Sequence, residues 1–249
     1  MNRNLKVILA YCGTNYHGYQ KQANAITIQE TVENACSKIF NHKAWIHGVS
    51  RTDTGVHARG YCFSVETVSQ IPCENFVRAV NTLLPEDIAV LSCEEVSEDF
   101  HARYSAQAKE YIYKIYCQRQ RDPFLNNFAY HYTYPVNDEL MNSACKKFIG
   151  TYDFYALCNN YKADIKKAEN TIRTIFDFNV KVYNNIRIFT VKGDGFLYNM
   201  VRILVGTVLE VNEGKIDVND LTDIILSKDR SRTGRTVPPY GLYLNKVFY

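Results

Sequence analysis

Long apolar runs are missing from this 249-residue sequence. None approaches the roughly 18 residues of a membrane span, so no transmembrane helix is predicted. Closely spaced cysteines are missing as well. Cys12, Cys36, Cys62, Cys73, Cys93, Cys117, Cys145 and Cys158 lie far apart with no CxxC pair, which removes the usual zinc spacings. Several sit in apolar segments, and they read as free thiols in a reducing compartment. The six histidines form neither HxxxH nor HExxH. Tryptophan is reduced to Trp45, and no Pro/Gly/Ser-rich linker or internal repeat interrupts the chain. Strong charge is absent too: a net +3 permits an RNA partner without demanding one. With 46% hydrophobic and 22% charged residues, the chain is neither disordered, collagenous nor a coiled coil. A cytoplasmic protein with no metal and no cofactor is the expectation. The apolar stretch of MNRNLKVILAYCG ends at Ala10 and reads as a strand, not a secretory signal.

Aromatic side chains are plentiful, with 19 Tyr and 13 Phe. The periodicities give the organisation. LKVILAYCG is a strand. Thr27 and Glu30 fit a capping box, and Ile28, Val32, Ala35, Cys36 and Ile39 recur at helical spacing, which predicts a helix over 28–40. AWIHGV, RGYCFSVE and IAVLSCEEV read as strands, with a helix from Pro72 to Leu84 between the last two. KEYIYKIY alternates strictly. Asn137 or Asp138 caps a helix to about Ile149. Asn184-Asn185 turns a hairpin within TIRTIFDFNVKVYNNIRIFTVKG. Met200 to Val211 is apolar almost all round and so is a buried helix. Asp217 caps a further helix through Leu226, and YGLYLNKVFY closes the chain as a strand. The expected fold is α+β, with two subdomains, 1–104 and 105–249, on a largely antiparallel sheet that is continuous and carries its helices on one side.

Two glycine motifs fail. GTNYHG has P-loop spacing, but Tyr19 and Gln20 follow where Lys and Ser or Thr are required. Gly193-Asp194-Gly195 begins like a dinucleotide fingerprint, but Tyr198 takes the third glycine position. No GxSxG elbow occurs. RTDTGVHARG, residues 51–60, is more informative. Thr-Asp-Thr-Gly makes a good turn between strands by itself, yet this turn carries Arg51, Asp53, His57 and Arg59, a charge density that a plain connector does not need. Arg202 stands out in the same way. It lies inside YNMVRILVGTVLEV, and its helix offers no carboxylate before Glu210, so a buried guanidinium there needs a partner from elsewhere. A snorkelling arginine at the helix edge is the alternative.

These segments together resemble the tRNA pseudouridine synthase A family over the whole chain. RTDTGVHA is similar to that family's catalytic loop, and ILAYCGTNYHGYQ to its opening strand, with Tyr19 in a tryptophan position. FHARYSAQAKEYIYKIY, FIGTYDFYALC, GDGFLYNMVRILVGTVLEV and VPPYGLYLNKVFY resemble further signatures, with Tyr152 where histidine is usual. The resemblance implies isomerisation of uridine to pseudouridine in the tRNA anticodon arm, after the target base is flipped out. It implies catalysis by Asp53, either by covalent attack or by taking a ribose proton. It assigns Arg202 as the cation paired with Asp53, Tyr111 as the base-stacking or proton-handling tyrosine, and Arg51 as the group that fills the vacated stack. Without it, Tyr111 is one more alternating strand residue and His57 a hydrogen-bonding residue within its loop.

A homodimer sharing one tRNA is implied, with no membrane and no metal. Phosphate contacts would come from Arg59, Arg119, Arg121, Lys162, Lys166, Lys167, Arg173, Arg230, Arg232 and Arg235. Ser50, Thr54 and Arg235 depart from the family pattern, which bears on substrate choice and leaves Asp53 and Arg202 intact. Two other readings stand beside this one: a non-catalytic tRNA-binding chaperone on the same fold, and a glycosidase using Asp53 with Asp153 or Glu110. The single tryptophan speaks against the glycosidase.

Overall fold

The computed structural model describes residues 2–159 and 170–249. Lys162, Lys166 and Lys167 lie outside the described residues. Among those described there are ten strands and five α-helices, and most strand pairs are antiparallel, so the fold is α+β. The chain forms two compact units: Met1–Gln107 with Tyr243–Tyr249, and Ala108–Leu242. No described helix is long and apolar enough to cross a membrane.

In the first unit β1 (Arg3–Tyr11) lies between β4 (Ile88–Val96) and β3 (His57–Thr67), antiparallel to both. β1 alternates buried and half-buried residues, with Leu5, Val7 and Leu9 fully buried. The other edge of β3 is shared. β10 (Leu242–Phe248) runs parallel to its start, pairing Tyr243 with His57, and β2 (Ile46–Gly48) runs antiparallel near its end, pairing His47 with Ser64. Helix α1 (Ile28–Phe40) begins where the capping residue predicts, with the Thr27 hydroxyl accepting the Glu30 N–H at 3.4 Å. Glu30 does not close the box, because its carboxylate turns to Lys21 Nζ at 3.0 Å. Helix α2 (Cys73–Asn81) is shorter than predicted. Pro72 is its N-cap, not its first residue, and the chain leaves the helix at Thr82.

In the second unit β5 (Ala108–Tyr116) pairs with β9 (Ile186–Gly193), which pairs with β8 (Ile172–Tyr183) across the Asn184 turn. Asn184 adopts φ 54°, a conformation that asparagine tolerates. The sequence reading missed two short strands. β6 (Tyr130–His131) runs parallel to β5, and β7 (Gly150–Asp153) pairs with β8. Both are too short to show a period. Helix α3 (Asp138–Lys147) is capped by Asn137, whose side chain accepts the Leu140 N–H at 3.0 Å, and it packs on β8 and α4. Helix α4 (Met200–Asn212) is buried on nearly every side; only Arg202, Glu210 and Asn212 are partly open. Asp217 caps a short 3-10 turn that runs into α5 (Leu221–Leu226).

Candidate active site

Asp53 sits on the turn between β2 and β3, half-buried, with Arg51 and Thr54 exposed beside it. The main chain around it is tied down on both sides. The Thr52 carbonyl accepts the Tyr19 N–H at 3.1 Å, and the buried Thr52 hydroxyl bonds Tyr11 Oη at 2.9 Å. The Asp53 carbonyl accepts the Val56 N–H at 3.1 Å, and Gly55 takes φ 77°. One step earlier, the Tyr61 hydroxyl donates to the Ser50 carbonyl at 2.5 Å. Tyr61 stacks on Tyr19 at 4.2 Å and tilts against Tyr11 at 5.8 Å, so three tyrosines floor the turn. Burial pushes the Tyr19 and Tyr61 hydroxyls up, which keeps the floor neutral. His57 is buried at the start of β3. Its Nδ1 accepts the Gly13 N–H at 3.1 Å, and its ring stacks on Tyr243 at 4.6 Å, so the bond reaches another segment and is not confined to its own loop. These main-chain bonds brace the turn that carries Asp53.

Tyr111 and Arg202 belong to the second unit. Tyr111 is on β5, opposite Val191, and is buried, its ring packed edge-to-face with that of Phe196 at 5.2 Å between centroids. Phe196 is in the turn that leads from β9 into α4. The same turn ends at Asn199, which adopts φ 59° at the head of α4. Asn199 Oδ1 accepts from Arg202 Nη1 at 2.6 Å, and the Val237 carbonyl accepts from Arg202 Nε at 2.7 Å. The guanidinium is therefore aimed by two neutral acceptors, a role that the sequence reading did not assign to Asn199 or Val237. An asparagine directly before an apolar helix is a recognisable capping position and was the available signal; nothing local points to Val237. Glu210, the acid nearest Arg202 along the helix, is engaged elsewhere: it accepts the Arg235 N–H at 2.8 Å. The segment that carries Val237 is itself held, since the Tyr113 hydroxyl donates to the Pro238 carbonyl at 2.8 Å.

Several expected phosphate ligands serve the protein's own interior. Arg230 donates to Asn159 Oδ1, Thr233 Oγ1, the Gly234 carbonyl and Thr236 Oγ1 at 2.6–3.1 Å. Arg235 forks onto Glu213, with contacts of 2.6 and 3.2 Å, and Lys215 Nζ reaches the same carboxylate at 2.7 Å. Arg59, Arg119, Arg121 and Arg232 remain exposed, and Arg173 donates to the backbone of Asn170 and Ile172. Asp153 is held by Lys228 at 2.7 Å and by the Thr171 hydroxyl, so it reads as a structural carboxylate. Burial pushes its carboxyl up, but hydrogen bonds from Lys228 and Thr171 outweigh that and leave it low. Among the described residues no three His, Cys, Asp or Glu side chains gather as a metal site.

The Glu213 pair yields a stability prediction. Burial pushes the Glu213 carboxyl up, but the hydrogen bonds from Arg235 and Lys215 prevail and hold it below its ordinary 4.5. A carboxyl lowered by folding stabilises the protein above the unfolded value, and the contribution fades as pH falls through the folded value. Glu213→Gln should therefore cost roughly 2 kcal/mol at pH 7 by urea denaturation, with the gap to the parent narrowing by about pH 3. A gap that stays constant across that range would show that the pair contributes nothing.

The structure thus places Asp53, half-buried, on a turn braced from both sides. Comparison with known proteins names the chemistry. The chain matches the tRNA pseudouridine synthase family over residues 7–105 and 144–249. It is 45% identical over 247 residues to a tRNA pseudouridine synthase A of Clostridium acetobutylicum, covering 99% of this chain and all of that one. It is 42% identical, with the same coverage, to a tRNA pseudouridine synthase A of Thermoanaerobacter sp.. It is 43% identical over 248 residues, 99% of this chain and all of that one, to a tRNA pseudouridine synthase A 2 of Clostridium perfringens. Among solved structures, a Cbf5-Nop10-Gar1 complex aligns at 11% identity with a TM-score of 0.36, over 82% of this chain and 53% of that one, too loose a likeness to carry an argument. The chain belongs to the tRNA pseudouridine synthase A family. Its activity is that of an isomerase that makes pseudouridine in tRNA.

Proposed function

We propose that the target uridine lies in the anticodon arm of tRNA and that Asp53 is the catalytic carboxylate. The observation that carries this reading is the Asp53 turn: main-chain bonds at Thr52 and Asp53, with tyrosines beneath, fix the place of a half-buried carboxylate. In the isomerisation the bond from N1 to C1′ breaks and a bond from C5 to C1′ forms. C5 gives up its proton and N1 gains one, so no atom or electron is exchanged. Asp53 begins the reaction either by covalent attack or by taking a ribose proton; both routes require an ionised carboxylate.

Arg202 is the cation proposed to keep it ionised. Its orientation by Asn199 and the Val237 carbonyl supports that role, since a pre-aimed guanidinium loses little on pairing. Tyr111 is proposed to stack on the flipped base, and Arg51, exposed on the same turn as Asp53, to fill the space that the base leaves. The enzyme is proposed to act in the cytoplasm as a homodimer that shares one tRNA. The reading is tested by incubating purified protein with unmodified tRNA and mapping pseudouridine by carbodiimide treatment and primer extension. Stops confined to the anticodon arm are expected; stops only in another arm would overturn the assignment of position.

With Arg230 and Arg235 committed to internal contacts, binding is left to the exposed cations, Arg59, Arg119, Arg121 and Arg232 among them. tRNA affinity should fall linearly on a log–log plot against salt, and Arg119→Ala should reduce the slope by about 1. Filter binding at several salt concentrations measures both. An affinity that does not change with salt would reject phosphate contacts as the source of binding.

A further inference from the structure

The FHARYS motif has no part in the chemistry above, and the structure shows what it builds. After β4 the chain makes a tight turn at 100–105. The His101 N–H donates to Ser105 Oγ at 3.1 Å, and the Ser105 N–H returns to the His101 carbonyl at 2.9 Å. The N–H groups of Arg103 and Tyr104 both donate to His101 Nδ1, at 3.1 and 3.4 Å. The turn is pinned to the sheet by the Ala102 N–H, which donates to Ser64 Oγ at 3.2 Å, and by the Tyr249 hydroxyl, which donates to the Ala102 carbonyl at 2.9 Å. Ser64 is the β3 partner of His47 on β2, so the turn lies against β2.

The result is a row of rings in which Trp45, His47 and Tyr104 are exposed and His101 is half-buried. His47 meets His101 at 5.1 Å between centroids, and His101 meets Tyr104 at 4.4 Å. Trp45 lies two residues before His47, and the buried Ile46 between them puts both on the open face, about 7 Å apart by strand geometry. Trp45 is 61% exposed and Tyr104 is 78% exposed, large apolar surfaces for a folded protein to leave in water. Each carries a cation: Lys43 Nζ lies 4.0 Å from the Trp45 ring centre and the Arg103 guanidinium 5.8 Å from that of Tyr104. Rings fixed by a hydrogen-bonded turn and flanked by cations have the chemistry that receives unpaired bases and their phosphates. Burial, then the charges of His47 and Arg103, hold His101 below its ordinary 6.5, which preserves Nδ1 as the acceptor for the turn.

We propose that Trp45, His47, His101 and Tyr104 form a base-stacking platform for unpaired nucleotides of the substrate tRNA. It is a second RNA contact within the first unit, separate from the Asp53 turn. Ser64, beside the platform, is seven positions along β3 from His57, next to that turn, which places the platform roughly 20 Å along the strand from the catalytic loop. The bases it takes are therefore not the flipped uridine but nucleotides elsewhere in the same RNA. The proposal rests on tRNA being the substrate and does not depend on which uridine is modified.

The test measures binding to unmodified tRNA at several salt concentrations, with kcat and KM for pseudouridine formation, in the full-length protein. Trp45→Ala and Tyr104→Ala should each weaken binding roughly 10-fold and raise KM, with kcat and the salt slope unchanged, because stacking rather than charge is removed. Trp45→Phe and Tyr104→Phe, which keep a ring, should recover most of the loss. Alanine variants that bind within about 2-fold of the parent, or phenylalanine variants as weak as the alanine ones, overturn the platform and leave the rings to a protein partner. A parent protein that forms no pseudouridine in the anticodon arm overturns the functional reading instead, and the binding measurements still decide the platform.

Discussion

Replacing Asp53 by asparagine is expected to lower pseudouridine formation by more than about 1,000-fold while tRNA binding persists. The substitution keeps the shape of the side chain and removes its charge. Main-chain bonds at Thr52, Asp53 and Val56 and the bond of the Thr52 hydroxyl brace the turn and do not depend on the Asp53 charge, so the turn should survive it. What is lost is the only property that both proposed routes need, an ionised oxygen. Single-turnover conversion of labelled tRNA, beside filter binding of the same preparation, separates the two effects. Turnover above about one part in a thousand would remove Asp53 from the catalytic role. Binding that collapsed along with activity would show that the turn itself had been disturbed.

Gly206→Ala should be the most damaging single-methyl change in the second unit. Alanine is ordinarily the better helix former, by about 1 kcal/mol. Here the added Cβ would run into the Arg235 carbonyl oxygen, and that atom is backbone and cannot swing away. The approach is mutual, since a Cβ on Gly234 would meet Thr207 Cα at 2.5 Å. Helix α4 and the 233–237 segment are thus packed main chain to main chain, and the Gly234 N–H donates to Thr207 Oγ1 at 3.0 Å across the contact. Overpacking of this kind outweighs the propensity gain, for a net loss of roughly 2–3 kcal/mol. The same displacement would carry the Val237 carbonyl away from Arg202 Nε. Lower stability and a lower kcat should therefore appear together. Urea denaturation followed by circular dichroism, with turnover measured below the transition, checks both; a variant as stable as the parent would contradict the packing.

Local rules read well wherever the deciding contacts are local. Helix α1 begins at its predicted cap because Thr27 and the N–H three residues on need nothing else. The Asn184-Asn185 turn and the hairpin around it follow from the residues within it. The burial of α4 follows from an apolar sequence with no wet face. The RTDTGVHARG segment stood out because four charged or titratable residues are crowded into ten positions. The same rules overextended α2, since helical periodicity does not mark where the chain must leave to reach β4, and they missed β7, whose four residues gain strand character only from β8.

The sequence by itself determined the family, the α+β class, the positions of most elements and the residues on which to stake the chemistry, because each depends on spacing within a few residues or on a motif read whole. Only the tertiary structure decided that Tyr243–Tyr249 belongs with the first unit, with Tyr243 on a strand parallel to that of His57 and far from it in the chain. Strands with the same alternation offer many possible partners, and register is settled by packing. Only the tertiary structure decided which cations are spent inside the protein. Arg230 and Arg235 look like surface charge in SKDRSRTGR, yet one threads a set of neutral oxygens and the other holds the almost fully buried Glu213. A charged side chain's function depends on which acceptor reaches it first in space, and that acceptor need not be near it in the chain.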